Sequence, residues 1–576
     1  MRPVQGRTRL AAVPNARLKD FVHLHVHSPY SFLDGASSIE RLLQKAKHLG
    51  MPAMAITDHN SLSGVIRFYD KAREMGIKPI IGAEVDVEDG YHLTLLAQDL
   101  KGYASLCRII SEAQLAKDDS RPVATKEMLA KHSRGLIALS DCSKGEISKL
   151  VARGLLEEAK EAARFYRSIY PNRFYIELVY HPNSSGRHSV YRLAEFAKEL
   201  CLPIVATNDV HYAEMEEYTV HELLEAIRQI IPLEQLPGPR TVEQYLKSPA
   251  EMAALFRDIP EAISNTVAVA DQCNLDFPLG KPKFPNSPLP SGYSAKSYLR
   301  KMTLNGALRR YGSLSAAILE RLEHELEVIG FLGFETYFLV VWDIARFAKE
   351  RGIRYQCRGS AVNSLVVYCL YISNVDPVEY DLLFERFMHE DRHEMPDIDI
   401  DFQRTRRDEV KNYITSKYGK DNVAAVATIN TFQARSPIRE VAKALQLPES
   451  DVVELQAGVR WHSVKGLLEH IDTLPELKAN RALRNPAFRD LLRLCSAVDG
   501  LPRHLSVHLG GLVIGSGNIT DWVPLQRSSG GDIITQFDKD DIERLGLIKM
   551  DILTAFPRWM SSRTLWLRLK EPGASR

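Results

Sequence analysis

Short apolar runs alternate with amphipathic stretches through the first 215 residues of the chain. The apolar runs predict seven β-strands, at residues 21–26, 53–57, 79–85, 92–97, 135–140, 174–179 and 203–207. Between the first two strands, a helix is expected over residues 38–49, with Ser38 as its N-cap and Gly50 at its end. This alternation predicts an α/β fold with a parallel barrel, whose chemistry lies at the C-terminal ends of the strands.

The pattern beyond this region is mainly helical. Residues 216–285 are predicted to be helical, and a proline-rich stretch at their end marks a domain boundary. Residues 321–329 follow an amphipathic helical pattern, whereas residues 337–347 are more apolar and are expected to be buried. A further helical run is expected over residues 361–370.

Composition narrows the class of protein. A chain of 576 residues accommodates roughly three to four domains. Its net charge of +1 provides no global basic field, so any argument for nucleic-acid binding must be local. The seven cysteines are scattered without a paired motif, and we find no signal peptide and no apolar run of about 18 residues. We therefore expect a cytoplasmic protein without a membrane span, preceded by a disordered tail at residues 1–20.

Metal-ligating side chains recur near the ends of the predicted strands. They are His23, His25, His27, Asp34, Asp58, His59, Glu84, His92, Cys142, His181, Asp209 and His211. A single histidine at a strand end is usually structural, but imidazoles and carboxylates in this number favour a site for Zn²⁺, Mn²⁺ or Fe²⁺.

A second cluster of chemistry lies in the acidic stretch from Pro396 to Phe402. Its period of two places the carboxylates of Asp397, Asp399 and Asp401 on one face of a strand. Their mutual repulsion would be relieved by a divalent cation, although a solvated edge strand is the alternative. Upstream, Arg358-Gly359-Ser360 offers backbone N–H groups and a fixed charge to a phosphate. Together these elements are what two-metal nucleotidyl transfer needs.

Two later segments extend this interpretation. Asp551 lies inside an apolar, strand-like run, where metal coordination would explain a buried charge. Residues 404–443 contain nine Lys or Arg against four Asp or Glu, which predicts a phosphate-backbone surface or, alternatively, a solvated helix face. The stretch from Arg503 to His508 precedes a Gly-Gly strand and is expected to face the same cleft.

The histidine motifs resemble the PHP (polymerase and histidinol phosphatase) domain. The matching segments are His25-Val26-His27-Ser28, Thr57-Asp58-His59-Asn60, Gly82-Ala83-Glu84 and Asn208-Asp209-Val210-His211. The resemblance implies a multinuclear centre of Zn²⁺ or Mn²⁺ that hydrolyses phosphate esters with metal-activated water. The implied ligands are His25, His27, Asp34, His59, Glu84, His92, Cys142, Asp209 and His211.

The later motifs, which follow the PHP-like region in order, resemble the bacterial replicative (C-family) DNA polymerases. They are Arg358-Gly359-Ser360, Leu383-Phe384-Glu385-Arg386-Phe387, the segment from Met395 to Phe402, and Lys549-Met550-Asp551. The resemblance covers roughly residues 20–553. It implies template-dependent addition of dNMP to a primer 3′-hydroxyl, with Mg²⁺ as cofactor, in replication or repair synthesis.

The same resemblance assigns roles to residues. Asp397, Asp399 and Asp551 would be the catalytic metal ligands, with Asp401 in a supporting role. The implied phosphate-binding residues are Arg358, Gly359, Ser360 and Lys549, and the implied DNA-binding residues are Arg404, Arg406, Arg407, Arg435 and Arg439. Partners would be primer-template DNA, dNTPs and other replisome or translesion-synthesis subunits.

The implied architecture is a distorted parallel (βα)7 barrel followed by a polymerase-beta-like nucleotidyltransferase palm with an inserted helical thumb. The barrel and its helical extension would occupy residues 21–285, the palm 286–430 and 511–554, and the thumb 431–510. Two features depart from the family: Cys357 stands where glycine is usual, and the tail at 555–576 diverges. We therefore expect a truncated or frameshifted reading frame that lacks the clamp-binding region.

Three functions remain open at this point. The chain is a DNA polymerase or part of one, a phosphoesterase or 3′–5′ exonuclease acting through the PHP-like site alone, or an inactive fragment that keeps the fold. Whether it belongs to the replicative or the error-prone branch also stays open, although the nearly complete ligand set favours the replicative branch.

Overall fold

A computed structural model describes residues 21–116, 121–182, 186–238, 241–285, 289–389, 396–433, 435–458 and 486–554. The contacts divide the chain into two compact units. The first contains Met1–Phe277, Thr428–Ser506 and Thr520–Gly531, and the second contains Pro278–Ala427, Val507–Ile519 and Asp532–Arg576. The expected tails at 1–20 and 555–576, and Met395 of the acidic motif, lie outside the described residues.

Strands and helices are numbered in chain order. The strands are β1 Ala53–Ile56, β2 Lys78–Val87, β3 Tyr91–Ala97, β4 Leu136–Leu139, β5 Phe174–Val179, β6 Ile204–Thr207, β7 Tyr355–Arg358, β8 Asp399–Phe402, β9 Val423–Thr431, β10 Pro502–Ile514, β11 Leu525–Arg527, β12 Ile533–Thr535 and β13 Ile548–Leu553. The helices of the first 300 residues are α1 Ile39–His48, α2 Val65–Glu74, α3 Leu100–Ala116, α4 Lys126–Lys131, α5 Glu146–Arg153, α6 Leu156–Ile169, α7 Gly186–Glu199, α8 Tyr218–Gln229, α9 Pro249–Leu255, α10 Pro260–Gln272 and α11 Ala295–Tyr311. The later helices are α12 Ala316–Phe331, α13 Glu335–Glu350, α14 Leu365–Cys369, α15 Arg407–Tyr418, α16 Arg435–Ala444, α17 Glu449–Gly458, α18 Pro486–Val498 and α19 Lys539–Arg544.

The first unit is built on a curled sheet in the order β1-β2-β3-β4-β5-β6. The pairs β1–β2, β4–β5 and β5–β6 are parallel, as the barrel prediction requires. Strand β3, however, runs antiparallel to both of its neighbours. The connection from β2 to β3 is only the three-residue turn Glu88–Gly90, which is too short for the crossover that a parallel pair needs.

The predicted first strand, residues 21–26, forms isolated bridges that close this sheet into a ring. His23 pairs with Met54 of β1, and Val26 pairs with Val210 just after β6, both in parallel. Helix α1 begins as predicted, with the Ser38 hydroxyl accepting the Arg41 N–H at 3.2 Å. The α/β barrel predicted from the sequence is thus confirmed, with one strand reversed.

A separate apolar cluster of the first unit joins α8 to helices far along the chain. Val220 and Leu224 of α8 belong to the same buried cluster as Ile438 of α16 and Leu491 of α18. The described part of the predicted thumb segment up to Ser506 therefore belongs to the first unit.

The second unit contains a mixed sheet in the order β12-β9-β10-β13-β8-β7. Strand β8 pairs antiparallel with β7 and parallel with β13. One face of the sheet packs on α11–α14 and α15 in a continuous buried cluster that includes Phe338, Ile400 and Ile552. Helix α13 covers the apolar stretch predicted at 337–347 and is largely buried.

Among the described helices, none alone is long and apolar enough to cross a membrane. The bent pair Ala316–Phe331 and Glu335–Glu350, which meet at 115°, reaches that length and composition only jointly.

Candidate active site and metal centre

The first unit gathers a dense group of imidazoles and carboxylates at the strand ends. In the closing segment, Val22 and Leu24 enter the apolar core, while the alternate residues His25 and His27 face the polar cluster. This is the period of two expected of a strand. His23 stays apart from the cluster, since its Nε2 bonds to the Lys247 carbonyl oxygen at 2.9 Å.

Glu84 of β2 is the hub of one half of the cluster. Its carboxylate oxygens lie 2.5 Å from Nδ1 of His59, 2.7 Å from Nδ1 of His92 and 3.6 Å from Nε2 of His27. Asp86 adds a contact of 2.9 Å to His59 Nε2. Burial opposes protonation of His59, but Glu84 and Asp86 raise its pKa to about 10. Burial likewise opposes ionisation of Glu84, yet His59 and the other imidazoles hold its pKa well below the ordinary value.

Asp209 is the hub of the other half. Its Oδ1 lies 3.6 Å from His25 Nε2, 3.5 Å from His27 Nε2 and 3.6 Å from His211 Nδ1. The Nε2 atoms of His25 and His27 face each other at 3.1 Å. Despite its burial, the pKa of His25 is raised by Glu177 and Asp209, whereas burial and His211 lower the pKa of His27 to about 4. Facing nitrogen atoms beside carboxylates are suited to a shared cation.

Three members of the cluster were not predicted from the sequence. Asp86, Asp141 and Glu177 belong to groups of three side chains whose ligand atoms lie within 4.8 Å of one another. Asp86 follows Glu84 by two residues on β2, so the strand period was an available signal. Asp141 directly precedes the expected ligand Cys142, whereas Glu177 in the middle of β5 carried no motif.

Asp34 and Cys142 line the mouth of the cluster. They border a cavity of about 470 Å³ together with His211, Arg228 and His181. Asp34 Oδ1 lies 3.5 Å from His211 Nε2, and its Oδ2 lies 3.6 Å from Arg228 Nη1. Burial raises the pKa of the Cys142 thiol, and neighbouring carboxylates add to the shift.

Asp58 supports the cluster through hydrogen bonds to neighbouring residues. It accepts hydrogen bonds from the Ser28 backbone N–H at 2.6 Å and from the Ser31 hydroxyl at 2.8 Å. The Ser31 hydroxyl in turn lies 3.0 Å from His27 Nδ1 and accepts the His59 backbone N–H at 3.1 Å. Through Ser31, Asp58 thereby helps to orient the His27 ring and to fix the backbone at His59.

The donor set fits a resident metal. Nitrogen and carboxylate oxygen converge, as Zn²⁺ or Mn²⁺ requires. In addition, Asp141 Oδ2 and Glu177 Oε2 are buried without a hydrogen-bond partner among the described residues. A buried carboxylate oxygen normally has a partner, so these atoms fit the ligand set of a cation.

The acidic motif of the second unit lies on β8, at the centre of three strands. Asp399 is opposite Arg358 of β7, and Ile400 is opposite Ile552 of β13. Because opposed residues share a face and successive residues alternate, Asp399 and Asp551 lie on the same face of the sheet. Ile400 and Ile552 lie on the other face, in the core.

Asp399 is in an acidic environment. Burial raises its pKa to about 6, with further contributions from Asp397 and Asp551. Asp397 lies two residues before the strand and is exposed. Arg358 Nε, at 3.5 Å, and Lys549 only partly offset these effects. The carboxylates are therefore close enough to repel one another.

These carboxylates also have unused oxygen atoms. The Oδ1 atoms of Asp399, Asp401 and Asp551 are each buried without a hydrogen-bond partner among the described residues. Lys549 Nζ binds the other oxygen of Asp551 at 2.9 Å. Oxygen ligands on neighbouring strands fit Mg²⁺, which is bound through one or two carboxylates together with substrate phosphates. Asp401 shares the face of Asp399 and lies 3.9 Å from Arg358 Nε.

The expected phosphate loop differs in detail from the prediction. Gly359–Asn363 forms a 3₁₀ turn, and the α-helix begins only at Leu365–Cys369. The buried Glu325 carboxylate accepts the Ser364 hydroxyl at 2.7 Å and the Val366 N–H at 3.0 Å. The N-terminus of this α-helix is therefore already occupied by a side chain. Only the turn at Gly359 and Ser360 stays available for a phosphate.

The five arginines expected to bind DNA have different surroundings. Arg404 and Arg439 are exposed. Arg406 donates to a neighbouring glutamate at 2.7 and 2.8 Å, and Arg407 donates to a backbone carbonyl at 3.0 Å. The side chain of Arg435 lies outside the described residues.

Comparison with known proteins identifies both regions. Residues 23–181 match the PHP domain, and residues 297–554 match the Bacterial DNA polymerase III alpha NTPase domain. By these matches, the chain combines a PHP domain with a polymerase III alpha-type α/β domain. The chain is homologous to bacterial C-family DNA polymerases over most of its length, which confirms the resemblance stated above.

Three relatives illustrate this homology. An error-prone DNA polymerase of Symbiobacterium thermophilum is 45% identical over 554 residues, covering 93% of this chain and 51% of the relative. The DNA polymerase III subunit alpha of Borreliella burgdorferi is 37% identical over 557 residues, covering 92% and 48%. The DNA polymerase III subunit alpha of Escherichia coli K12 is 36% identical over 557 residues, covering 92% of this chain and 48% of the relative. The chain spans about half the length of the curated relatives it matches.

Proposed function

We propose that this chain is the catalytic core, or part of it, of a DNA-directed DNA polymerase that adds dNMP to a primer 3′-hydroxyl. The carrying observation is the convergence of Asp399 and Asp551 on one sheet face, each with a buried oxygen that lacks a hydrogen-bond partner among the described residues. Bound Mg²⁺ would supply the positive charge that activates the primer hydroxyl and stabilises the leaving pyrophosphate.

The chain's own residues then take the following roles. Asp397, Asp399 and Asp551 hold the cations, and Asp401 supports them. Lys549 donates to Asp551 at 2.9 Å and holds this carboxylate in place. Arg358, Gly359, Ser360 and Lys549 bind nucleotide phosphates, while Arg404, Arg406, Arg407, Arg435 and Arg439 bind the DNA backbone.

Partners and location follow from this role. The substrates would be primer-template DNA and dNTPs, and the partners would be other subunits of a replication or translesion-synthesis complex in the cytoplasm. The palm would comprise residues 286–430 and 511–554, with residues 431–510 as the thumb.

Primer extension with dNTPs and Mg²⁺ tests the proposal. We expect extension by the wild-type chain, loss with Asp397→Ala, and retention with His25→Ala, because His25 lies in the first unit. Extension that survives Asp397→Ala would refute the assignment of the palm carboxylates. Absence of extension by the wild-type chain would refute polymerase activity of this chain by itself.

A second candidate activity is hydrolysis of phosphate esters at the PHP centre, including the 3′ end of DNA. The specific observation in its favour is the dense donor set that opens into a cavity of about 470 Å³. The comparisons favour the polymerase over an enzyme that acts through this centre alone. Release of a labelled 3′-terminal nucleotide should depend on His25 and should survive Asp397→Ala. Release that is insensitive to His25→Ala would exclude the PHP centre as its source.

A further inference from the structure

His508 of β10 lies beside Asp551 in the second unit, with its Nδ1 atom 4.0 Å from Asp551 Oδ1. The same Nδ1 atom accepts the backbone N–H of Gly510 at 3.3 Å and of Gly511 at 2.8 Å. A ring nitrogen that accepts hydrogen bonds carries no proton. With Nδ1 facing two backbone donors, Nε2 is the ring nitrogen placed to act as the N–H donor.

Gly510 and Gly511 leave the space that this position of the His508 ring requires. A Cβ on residue 511 would lie 2.9 Å from His508 Nδ1, and a Cβ on residue 510 would lie 2.5 Å from Leu553 Cδ2 and 2.9 Å from the Ile552 carbonyl oxygen. Any side chain at these positions would displace the ring or separate β10 from β13. The Gly-Gly pair is thus matched to the imidazole that it holds.

The other edge of the ring is left for a ligand. The His508 side chain is 26% exposed. Within the described part of the chain, the structure records no hydrogen bond to its Nε2 atom. A purely structural histidine would need only its Nδ1 atom here. A directed N–H donor next to a metal-binding carboxylate is suited to an anionic oxygen.

We propose that His508 is a substrate-positioning residue whose Nε2–H donates to a phosphate oxygen of the substrate held at Asp551. The proposal deepens the polymerase function and rests on it. The phosphate belongs either to the incoming dNTP or to the primer-template backbone, and separate binding measurements distinguish the two.

Two amide variants separate the ring nitrogens. In His508→Asn, the short side chain can present a carbonyl oxygen near the Nδ1 position, whereas in His508→Gln the longer one can present an N–H near the Nε2 position. We measure equilibrium binding of Mg²⁺–dATP and, separately, of primer-template DNA by calorimetry. We expect His508→Gln to bind one ligand within about threefold of wild type and His508→Asn to bind it about 10- to 100-fold more weakly, as for a lost bond to a charged group.

Matched variants complete the test. Leu509→Ala changes the neighbouring side chain, which is 85% exposed, and should leave binding unchanged. Gly511→Ala keeps the histidine but crowds its ring, and should weaken binding as His508→Asn does. Thermal unfolding shows which variants are folded, and Gly511→Ala provides the test if His508→Asn is not.

The outcomes distinguish failure of the proposed polymerase site from failure of the role of His508 alone. If the wild-type chain binds neither ligand in an Mg²⁺-dependent way, or if Asp551→Asn binds normally, the proposed polymerase site itself fails. If Asp551→Asn weakens binding while His508→Asn and Gly511→Ala bind both ligands normally, only the role of His508 fails. Normal binding by His508→Asn with weak binding by His508→Gln also overturns it, because Nδ1 alone would then matter.

Discussion

The two polar sites of this chain balance their charges in opposite ways. In the first unit, each central carboxylate faces imidazoles, and the pKa values of Glu84 and Asp209 lie well below their ordinary values. In the second unit, burial raises the pKa of Asp399 to about 6, and the neighbouring carboxylates of Asp397 and Asp551 add to the shift. One cluster is compensated by its own side chains, and the other is compensated only in part.

This contrast indicates how each site would bind metal. A centre with nitrogen and oxygen ligands that are already held in place is expected to retain Zn²⁺ or Mn²⁺ through purification. A group of carboxylates with unused oxygens is expected to bind Mg²⁺ more weakly and to be completed by substrate phosphates. The predictions below test this difference between a resident and an exchanging metal.

The largest effect is expected from removing the charge of Asp399. Asp399→Asn should reduce primer extension more than about 100-fold, because a metal ligand is lost and orienting residues alone cost 10- to 100-fold. Asp401→Asn should cost less than tenfold, since Asp401 has a supporting role. Asp490→Asn, at a surface position that is 66% exposed, is the control. Equal losses for Asp399→Asn and Asp401→Asn would show that the acidic strand works as a set of three.

The next largest effect should appear in the metal content of the first unit. Glu177 Oε1 lies 2.8 Å from His25 Nδ1, so it fixes the ring that presents Nε2 to the centre. Glu177→Gln should weaken metal retention about 10- to 100-fold. Mass spectrometry of bound metal after dialysis against graded chelator measures this, with the exposed His48→Gln as control. Retention equal to wild type would remove Glu177 from the centre.

Much of both sites could be predicted from the sequence because strand alternation is local. The period of two placed His25 and His27 together, and it also placed Asp399 and Asp401 together. The short connection between the strands predicted at 79–85 and 92–97 already excluded a parallel pair, and the reversed direction of β3 follows from it.

Other features depend on contacts between distant residues. Glu325 reaches the N-terminus of α14 from 40 positions away, so no local pattern shows that this helix end is already occupied. In the sequence, Glu177 is only a charged residue inside an apolar strand. Its role becomes evident when the structure places the His25 ring beside it. A buried charge can be interpreted only after its partner is known.

A smaller effect, of about tenfold, concerns the pH dependence of Mg²⁺ binding in the second unit. The pKa of Asp399 is about 6, and Mg²⁺ needs the ionised carboxylate. Binding should therefore be nearly constant above pH 7 and should weaken about tenfold per pH unit below pH 6. Calorimetric titration with Mg²⁺ between pH 5 and 8 measures this. Asp399→Asn should bind more weakly but with a flatter profile, and an unchanged slope would assign the proton to another group.

The smallest effect should be seen in the salt dependence of DNA binding. This dependence tests whether exposed arginines of the second unit contact DNA phosphates. Arg404 is exposed, whereas Arg406 is bound by both oxygens of Glu409 at 2.7 and 2.8 Å. Arg404→Ala should reduce the slope of log K against log salt by about one, as for one phosphate contact. Arg406→Ala should change it less, because its charge is already neutralised by its neighbour. Fluorescence anisotropy with labelled primer-template at several salt concentrations gives both slopes, and a larger change for Arg406→Ala would mean that DNA displaces Glu409 from it.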